Sequence, residues 1–380
     1  MDALMLPSNW QKVRLGDIAE IIGGDTPSTQ ITSFWNGSIN WFTPTEIGIT
    51  KYVYKSQRTI TLLGLKKSSA KLLPIGTILL TSRASIGDCA ILKEVATTNQ
   101  GFQSLIPLEK INNEFLYYLM LTLKNKLLKL ASGSTFLEVS PNKIKNLLIP
   151  LPPLNEQIAI ANILSDVDRY LCALRALILK KEGVKKALSF ELLSQRKRLK
   201  GFNQAWQRVR LGDICEITTG SLDANEMVHY GKYRFYTCAK EYYFIDKYAF
   251  DTEAILISGN GAYVGYVHYY KGKFNAYQRT YVLDNFSEHI IFVKYFLTMF
   301  LQSHIQTNKN EGNTPYIVMA TLKDFEIPLP PLNEQIAIAN ILSDLDHEIT
   351  SLKNKKRQFE NIKKALNHDL MSAKIRVLKK

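Results

Sequence analysis

Three patterns of apolar and polar positions alternate along the 380-residue chain. In residues 71–92 (KLLPIGTILLTSRASIGDCAIL) and 253–270 (EAILISGNGAYVGYVHYY), short apolar runs are broken by glycine, proline and polar pairs, which predicts strand, turn and strand. Residues 112–131 (NNEFLYYLMLTLKNKLLKLA) and 287–306 (SEHIIFVKYFLTMFLQSHIQ) carry helical apolar spacing, each opening on a capping residue. The third pattern is a narrow seam. Ile160, Leu164, Val167, Leu171, Leu174 and Ile178 alternate steps of four and three, and Ile338, Leu342, Leu345, Ile349 and Leu352 repeat them. Pro152-Pro153 and Pro330-Pro331 exclude helix before each seam. Asn155 and Asn333 stand where an N-cap oxygen is wanted, with Glu156 and Glu334 suited to the first turn. No proline follows until the chain leaves the helix near Leu199 or reaches Lys380, so each helix should run for about 40 residues, roughly 60 Å. A stripe that long cannot be buried on one compact domain. Packing of the two helices on each other, antiparallel, is the economical expectation; the competing one is that each lies on its own domain.

The chain is also written twice. IPLPPLNEQIAIANILSDVD (149–168) returns at 327–346 with only Val167 replaced, by Leu345, and WQKVRLGDIAEI (10–21) returns as WQRVRLGDICEI (206–217). The offsets are 178 and 196, so the first copy holds 18 more residues between its opening and closing blocks. The smaller offset also aligns Gln100 with Gln278 and VKKAL (184–188) with IKKAL (362–366). Each half is thus a variable mixed α/β region followed by a near-constant helix. The expected divisions are 1–150, a first recognition region; 151–200, a first helix; 201–328, a second recognition region; and 329–380, a second helix.

Composition narrows the partner. The formal charge is +14, and two windows account for all of it: 180–200, with eight basic and two acidic residues, and 353–380, with ten and two. Both can be solvated helix faces or contacts to a polyanion, so the remainder, net zero, does not by itself announce nucleic acid. Cys89, Cys172, Cys215 and Cys238 form no C-x-x-C pair and no ligand-spaced cluster with the six histidines. They read as ordinary small apolar residues rather than a disulfide or zinc framework. No segment has a secretory leader or the length and apolarity of a membrane span, so a cytoplasmic protein is expected.

The chain has no phosphate-binding or dinucleotide-binding glycine loop, no G-x-S-x-G and no H-E-x-x-H. The Pro-Pro pairs are followed by leucine, unlike an amino-methyltransferase motif, and DTEAIL (251–256) lacks the lysine of a nuclease Glu-x-Lys. A noncatalytic binding scaffold is favoured.

LGDIAEIIGGDTPSTQITSFWNGSINWFTPTEI (15–47), SRASIG (82–87), TNQGF (98–102), VSPNKIKNLLIPLPPLNEQ (139–157), ISGNGAYVG (257–265) and FNAYQRTYVL (274–283) resemble the specificity subunit of type I restriction-modification enzymes. The likeness spans nearly the whole chain, and its most specific element is the duplicated PLPPLNEQ-helix unit. It implies tandem α/β (α+β) target recognition domains separated by two antiparallel coiled-coil helices, with a pseudo-twofold repeat. It further implies double-stranded DNA as ligand, an asymmetric bipartite target, and two methyltransferase and two restriction motor-nuclease subunits as partners, with no membrane. No cofactor is expected on this chain; S-adenosylmethionine, ATP and Mg2+ would sit in the partner subunits. Two other readings stay open: a coiled-coil scaffold binding protein or glycan, and the specificity subunit of a related nuclease-methyltransferase.

Base reading needs short polar side chains and arginine on loops that can enter a groove. In the first region those are Thr26, Ser28, Thr43, Thr45, Arg83, Ser85, Asn99 and Gln100, with Ser134 in a later loop. In the second they are Ser221, Asn225, Asn260, Tyr263, Tyr277, Gln278 and Arg279, with Lys309, Asn310 and Asn313 in the loop 307–316. Ordinary turn capping competes for every one of them, and Trp35 and Trp41 read as core or platform. The basic helix residues Lys180, Lys181, Lys185, Lys186, Lys355, Lys356, Arg357, Lys363 and Lys364 could meet phosphate or a partner subunit.

Overall fold

The computed structural model describes residues 6–133, 137–307 and 315–377. The chain divides into two compact units, residues 1–175 with 355–380, and residues 176–354. Each unit therefore takes the start of one long helix and the end of the other.

In the first unit the opening block pairs with the closing block. Gln11–Arg14 lies antiparallel to Leu148–Leu151, with Val13 opposite Ile149. Two sheets follow. One has five strands, in the order Ala19–Gly23, Gln103–Pro107, Ile78–Leu80, Cys89–Leu92, Tyr52–Val53; the other has three, in the order Arg58–Ile60, Trp35–Phe42, Ala96–Thr98. The expected turn-linked pair is present, with Leu80 opposite Cys89. The domain helix Asn113–Leu130 is capped by Asn112, whose side chain accepts the Phe115 N–H at 2.9 Å. It lays Phe115, Leu116, Tyr118, Leu119 and Met120 against Ile78, Leu80 and Leu105.

The second unit repeats the ribbon, Gln207–Arg210 on Glu326–Leu329 with Val209 opposite Ile327. Its strands form a single six-stranded sheet in the order Glu216–Thr219, Thr280–Asp284, Phe250–Ser258, Val267–Ala276, Tyr233–Tyr236, Tyr243–Ile245. The domain helix is Ile290–Thr307. Ser287 does not cap it: its hydroxyl donates to the Ile214 carbonyl, and the side chain of Gln335 takes the His289 N–H at 3.0 Å instead. Mixed strand directions and a helix against each main sheet make both units α+β.

The two long helices are Leu154–Leu193 and Leu332–Met371, forty residues each. They start one residue before the expected caps. The carbonyls of Pro153 and Pro331 accept the first helical N–H groups, from Glu156 and Gln157 and from Glu334 and Gln335, so Asn155 and Asn333 sit inside the first turn. Proline suits the junction because the missing N–H is one that has no partner within the helix.

Within each unit the helix segments pack antiparallel. In the first, Lys363 pairs with Asp168 and the rings of Tyr170 and Phe359 stand 4.7 Å apart. In the second, Lys185 pairs with Asp346 at 2.5 Å and Lys181 with Glu348 at 2.8 Å. Ile160, Leu164, Leu174 and Ile178 are buried, as are Ile338, Leu342 and Ile349, while Val167, Leu171, Leu345 and Leu352 are half-buried. Each helix end then enters a core. Leu370 and Met371 join the first cluster beside Ile160 and Leu164, and Leu192 and Leu193 join the second beside Ile338 and Leu342. Burial of each such side chain is worth about 2 kcal/mol.

A polar clamp fastens the same ends. Glu156, 1 % exposed, accepts the Trp10 indole N–H at 3.1 Å and the Arg376 guanidinium at 2.8 and 3.2 Å. Glu334, fully buried, accepts from Trp206 at 3.3 Å and from Arg198 at 3.0 and 2.7 Å. The neighbouring Gln157 and Gln335 tie the carbonyls of Pro152 and Pro330, both at 2.9 Å.

Cys89 is buried, which pushes its thiol up to about 12, and burial does the same to Cys215. Cys172, by contrast, is exposed rather than packed. No helix among the described residues is long and apolar enough to cross a membrane.

Candidate nucleic-acid interface

In the first unit, backbone bonds draw four separate loops to one place. The Asp25 N–H donates to the Thr98 carbonyl (2.9 Å), Asn99 to Phe42 (3.0 Å), Ser82 to Gly101 (2.8 Å) and Val139 to Ser82 (3.1 Å). Gly24 is what permits the first approach: a Cβ there would stand 2.1 Å from the Asn99 carbonyl oxygen, closer than any side chain can be. At this loop cluster Thr26 donates to the Gln100 side-chain oxygen at 2.5 Å, and Gln100, Ser28 and Thr45 are exposed.

Other candidates turn out to hold the loops in shape. The Thr43 N–H and hydroxyl both donate to Glu46 at 2.8 Å, closing a capping box. Asn99 accepts the Gly101 N–H at 2.9 Å, and Arg83 is ion-paired with Glu138 at 2.8 Å. Ser85 offers its carbonyl to the Thr81 hydroxyl, while its own buried hydroxyl has no partner among the described residues. Ser134 lies outside the described residues.

The second unit assembles the same end from different side chains. Gly259 donates to the Arg279 carbonyl (2.8 Å), Gln278 to Leu222 (2.9 Å), Tyr277 to Tyr236 (2.9 Å) and Ile317 to Gly259 (2.9 Å). Gly220 plays the part of Gly24, with the Ala276 carbonyl oxygen 1.8 Å from where a Cβ would stand. Ser221, Asn225, Tyr263, Gln278 and Arg279 are exposed here, and Asn260 and Tyr277 half-buried. Asn260 bridges to Tyr316. Lys309, Asn310 and Asn313 lie outside the described residues.

The basic helix residues divide. Lys181, Lys185, Lys356 and Lys363 are consumed in ion pairs with Glu348, Asp346, Glu360 and Asp168, so for these the solvated-face reading gives way to intramolecular pairing. Lys180, Lys186 and Lys364 have no ion pair among the described residues. Among those residues, too, no group of three His, Cys, Asp or Glu could hold a metal.

The helix dipole alone explains acids at Glu156 and Glu334 in the sequence, whereas their carboxylates form the clamp, as receptors for a tryptophan and an arginine. The doubled Trp at the opening block, with a basic residue beyond each helix, was the available signal.

Two repeated domains with clustered polar loops, each built on antiparallel helix segments, have the architecture of a tandem DNA-recognition protein. The family model for the type I restriction modification DNA specificity domain matches twice, over residues 7–181 and 203–361. The chain belongs to that family, the specificity subunits of type I restriction-modification enzymes. It is 29% identical to the MjaIX specificity subunit of Methanocaldococcus jannaschii, over 98% of this chain and 95% of that one. Over a shorter stretch, 44% of this chain and 37% of the relative, it is 38% identical to the EcoDI specificity subunit of Escherichia coli. The fold is shared with the S subunit of the type I system from M. genitalium, with a TM-score of 0.64 at 20% identity, covering 97% of this chain and 98% of that one.

Proposed function

We propose that this chain reads an asymmetric, two-part sequence in double-stranded DNA for a type I restriction-modification complex, one half-site per recognition domain. The observation that carries the reading is the loop cluster built twice on one backbone plan with different side chains: Thr26, Ser28 and Gln100 in one domain, Ser221, Gln278 and Arg279 in the other. Unlike readers give unlike half-sites. The long helices fix the spacing between the halves. The chain is noncatalytic in this reading. Two methyltransferase subunits dock on it and supply S-adenosylmethionine chemistry, and two motor-nuclease subunits supply ATP- and Mg2+-dependent cleavage.

Docking of two like subunits is supported by the constant segments. Each leaves the same two apolar side chains exposed on its first helical turns, Leu154 and Ile158 (45 and 41 %) and Leu332 and Ile336 (51 and 39 %). Exposed apolar pairs of this kind mark interaction sites when they recur together.

Genome-wide mapping of methylated adenine, in cells with and without the gene, tests the reading: a split motif present only with the gene is expected. Four residues inserted into each long helix lengthen it by about 6 Å, one to two base-pair steps at 3.4 Å each. The spacer of the motif should lengthen while both halves stay the same. A palindromic motif, or one indifferent to the insertion, overturns it.

A further inference from the structure

One arginine in each unit lies over aromatic rings and, among the described residues, has no acid to neutralise it. In the first unit it is Arg58, on the strand Arg58–Ile60 and in register with Trp41. Its guanidinium carbon lies 3.8 Å from the Trp35 ring centroid and 5.5 Å from that of Trp41, and the two indoles meet edge to face at 5.0 Å. Both indoles are buried, at 7 and 4 % exposure. Their N–H groups donate to the loop of Thr26: Trp35 to the Ser28 carbonyl at 3.0 Å, Trp41 to the Asp25 carbonyl at 2.9 Å. Arg58 itself is exposed, and among the described residues no ion pair or hydrogen bond engages its guanidinium.

The second unit reaches the same arrangement with other residues. Arg234, on Tyr233–Tyr236, has its guanidinium carbon 4.3 Å from the Tyr242 centroid and 4.4 Å from that of Tyr270, and it donates to the Tyr236 hydroxyl at 3.4 Å. Tyr236 is buried, and its carbonyl accepts the Tyr277 N–H, so this platform is also fastened to a reading loop. No carboxylate pairs with Arg234 among the described residues.

A stacked guanidinium has lost most of its rotational freedom before any ligand arrives, and its donors remain in one fixed plane. A phosphate can also take that fork, but it accepts a flexible lysine as a point charge equally well. The O6 and N7 acceptors of guanine do require it: two coplanar acceptors match a fork of two coplanar donors. We propose that Arg58 and Arg234 are specificity-determining residues, each reading a guanine in one half-site from its aromatic platform. The inference rests on the split-site reading above.

Adenine methylation is mapped in cells carrying the wild-type chain, Arg58→Lys or Arg234→Lys, each with its methyltransferase subunits. Lysine keeps the charge and removes the fork. For Arg58→Lys, one G·C position in one half-site should relax while the other half stays intact; for Arg234→Lys, the loss should move to the opposite half. Discrimination at that position, about tenfold or more for a bidentate arginine, should fall below about threefold. A half-site specific change cannot come from an unfolded chain. If a variant abolishes methylation, the purified complex decides through competition binding with single-base variants of the site. Lost discrimination at one position supports the assignment; an equal loss for every variant, or an unchanged motif, overturns it. A wild-type chain that yields no split motif removes the underlying reading instead, which is a separable result.

Discussion

The frame and the reading sheets of this protein were duplicated together, yet they differ in how far the copies agree. At the frame, Trp10, Glu156, Gln157 and Arg376 recur as Trp206, Glu334, Gln335 and Arg198, with the same bonds at nearly the same lengths. In the recognition regions the strands form two sheets of five and three in one copy and a single sheet of six in the other. Fixing where two helices meet demands one buried charge geometry, whereas a reading surface needs only the backbone bonds that gather its loops. The side chains on those loops are then free to differ. Sameness here tracks mechanical constraint, and the copies diverge where only the backbone bonds are fixed.

Breaking the frame should have the largest effect. Arg376→Ala strands the Glu156 carboxylate, 2 % exposed, with only the Trp10 and Asn9 donors. Loss of one partner from a buried pair costs about 3 kcal/mol or more, so chemical denaturation should show a destabilisation of that size. Arg198→Ala should match it through Glu334. A loss below about 1 kcal/mol in either would mean that the helix ends are held by Leu370 and Met371, or Leu192 and Leu193, alone.

Next come the glycines that let the loops meet. Gly24→Ala and Gly220→Ala each drive a Cβ onto backbone oxygen, which no rotamer can relieve. A cost of about 2 kcal/mol is expected, with each substitution weakening recognition of one half-site. Methylation mapping beside a melting curve separates the two effects. Equal damage to both half-sites from Gly24→Ala would contradict the independence of the two loop clusters.

Much of this was legible beforehand, and the limits have physical reasons. Duplication and the four-three seam gave the helices and their antiparallel packing, because a long apolar stripe has few ways to be buried. The helix start slipped by one residue because the proline carbonyls take the first bonds, and of the two asparagine side chains only that of Asn333 shares in them, accepting the Glu334 N–H at 2.9 Å. Glu156 could not be read correctly from its neighbours, since its partner Arg376 is 220 residues away. Thr43 and Asn99 are chemically fit to read bases, but their local turns use them. The Arg58 site is not legible locally, because Trp35 and Trp41 are brought to one face through an irregularity of the strand, where Trp35 and Ile39 both stand opposite Ile60. Only the pairing of Arg58 with Trp41 shows what that face supports.

The smallest effect sharpens the comparison inside the frame. Asp346 accepts from Lys185 at 2.5 Å and from the Tyr295 hydroxyl at 2.7 Å, as Asp168 does from Lys363 and Tyr118 in the other unit. Burial pushes the Asp346 carboxyl up, but the hydrogen bonds from Lys185 and Tyr295 outweigh it and hold the group below its ordinary range. A folded pKa below the unfolded one means that the ionised pair stabilises above the unfolded value near 3.8 and loses that contribution as pH falls through the folded value. Asp346→Asn should therefore lower stability at pH 7 and converge with the wild type in acid, once pH has fallen through the folded value. The side chain is 36% exposed, so screening limits the gap at neutral pH to about 1 kcal/mol or less. Denaturation curves at pH 7 and in acid measure it. A gap that persists unchanged in acid would show that Asp346 acts there through packing rather than charge, and that the helix pair in that unit is held by its apolar seam.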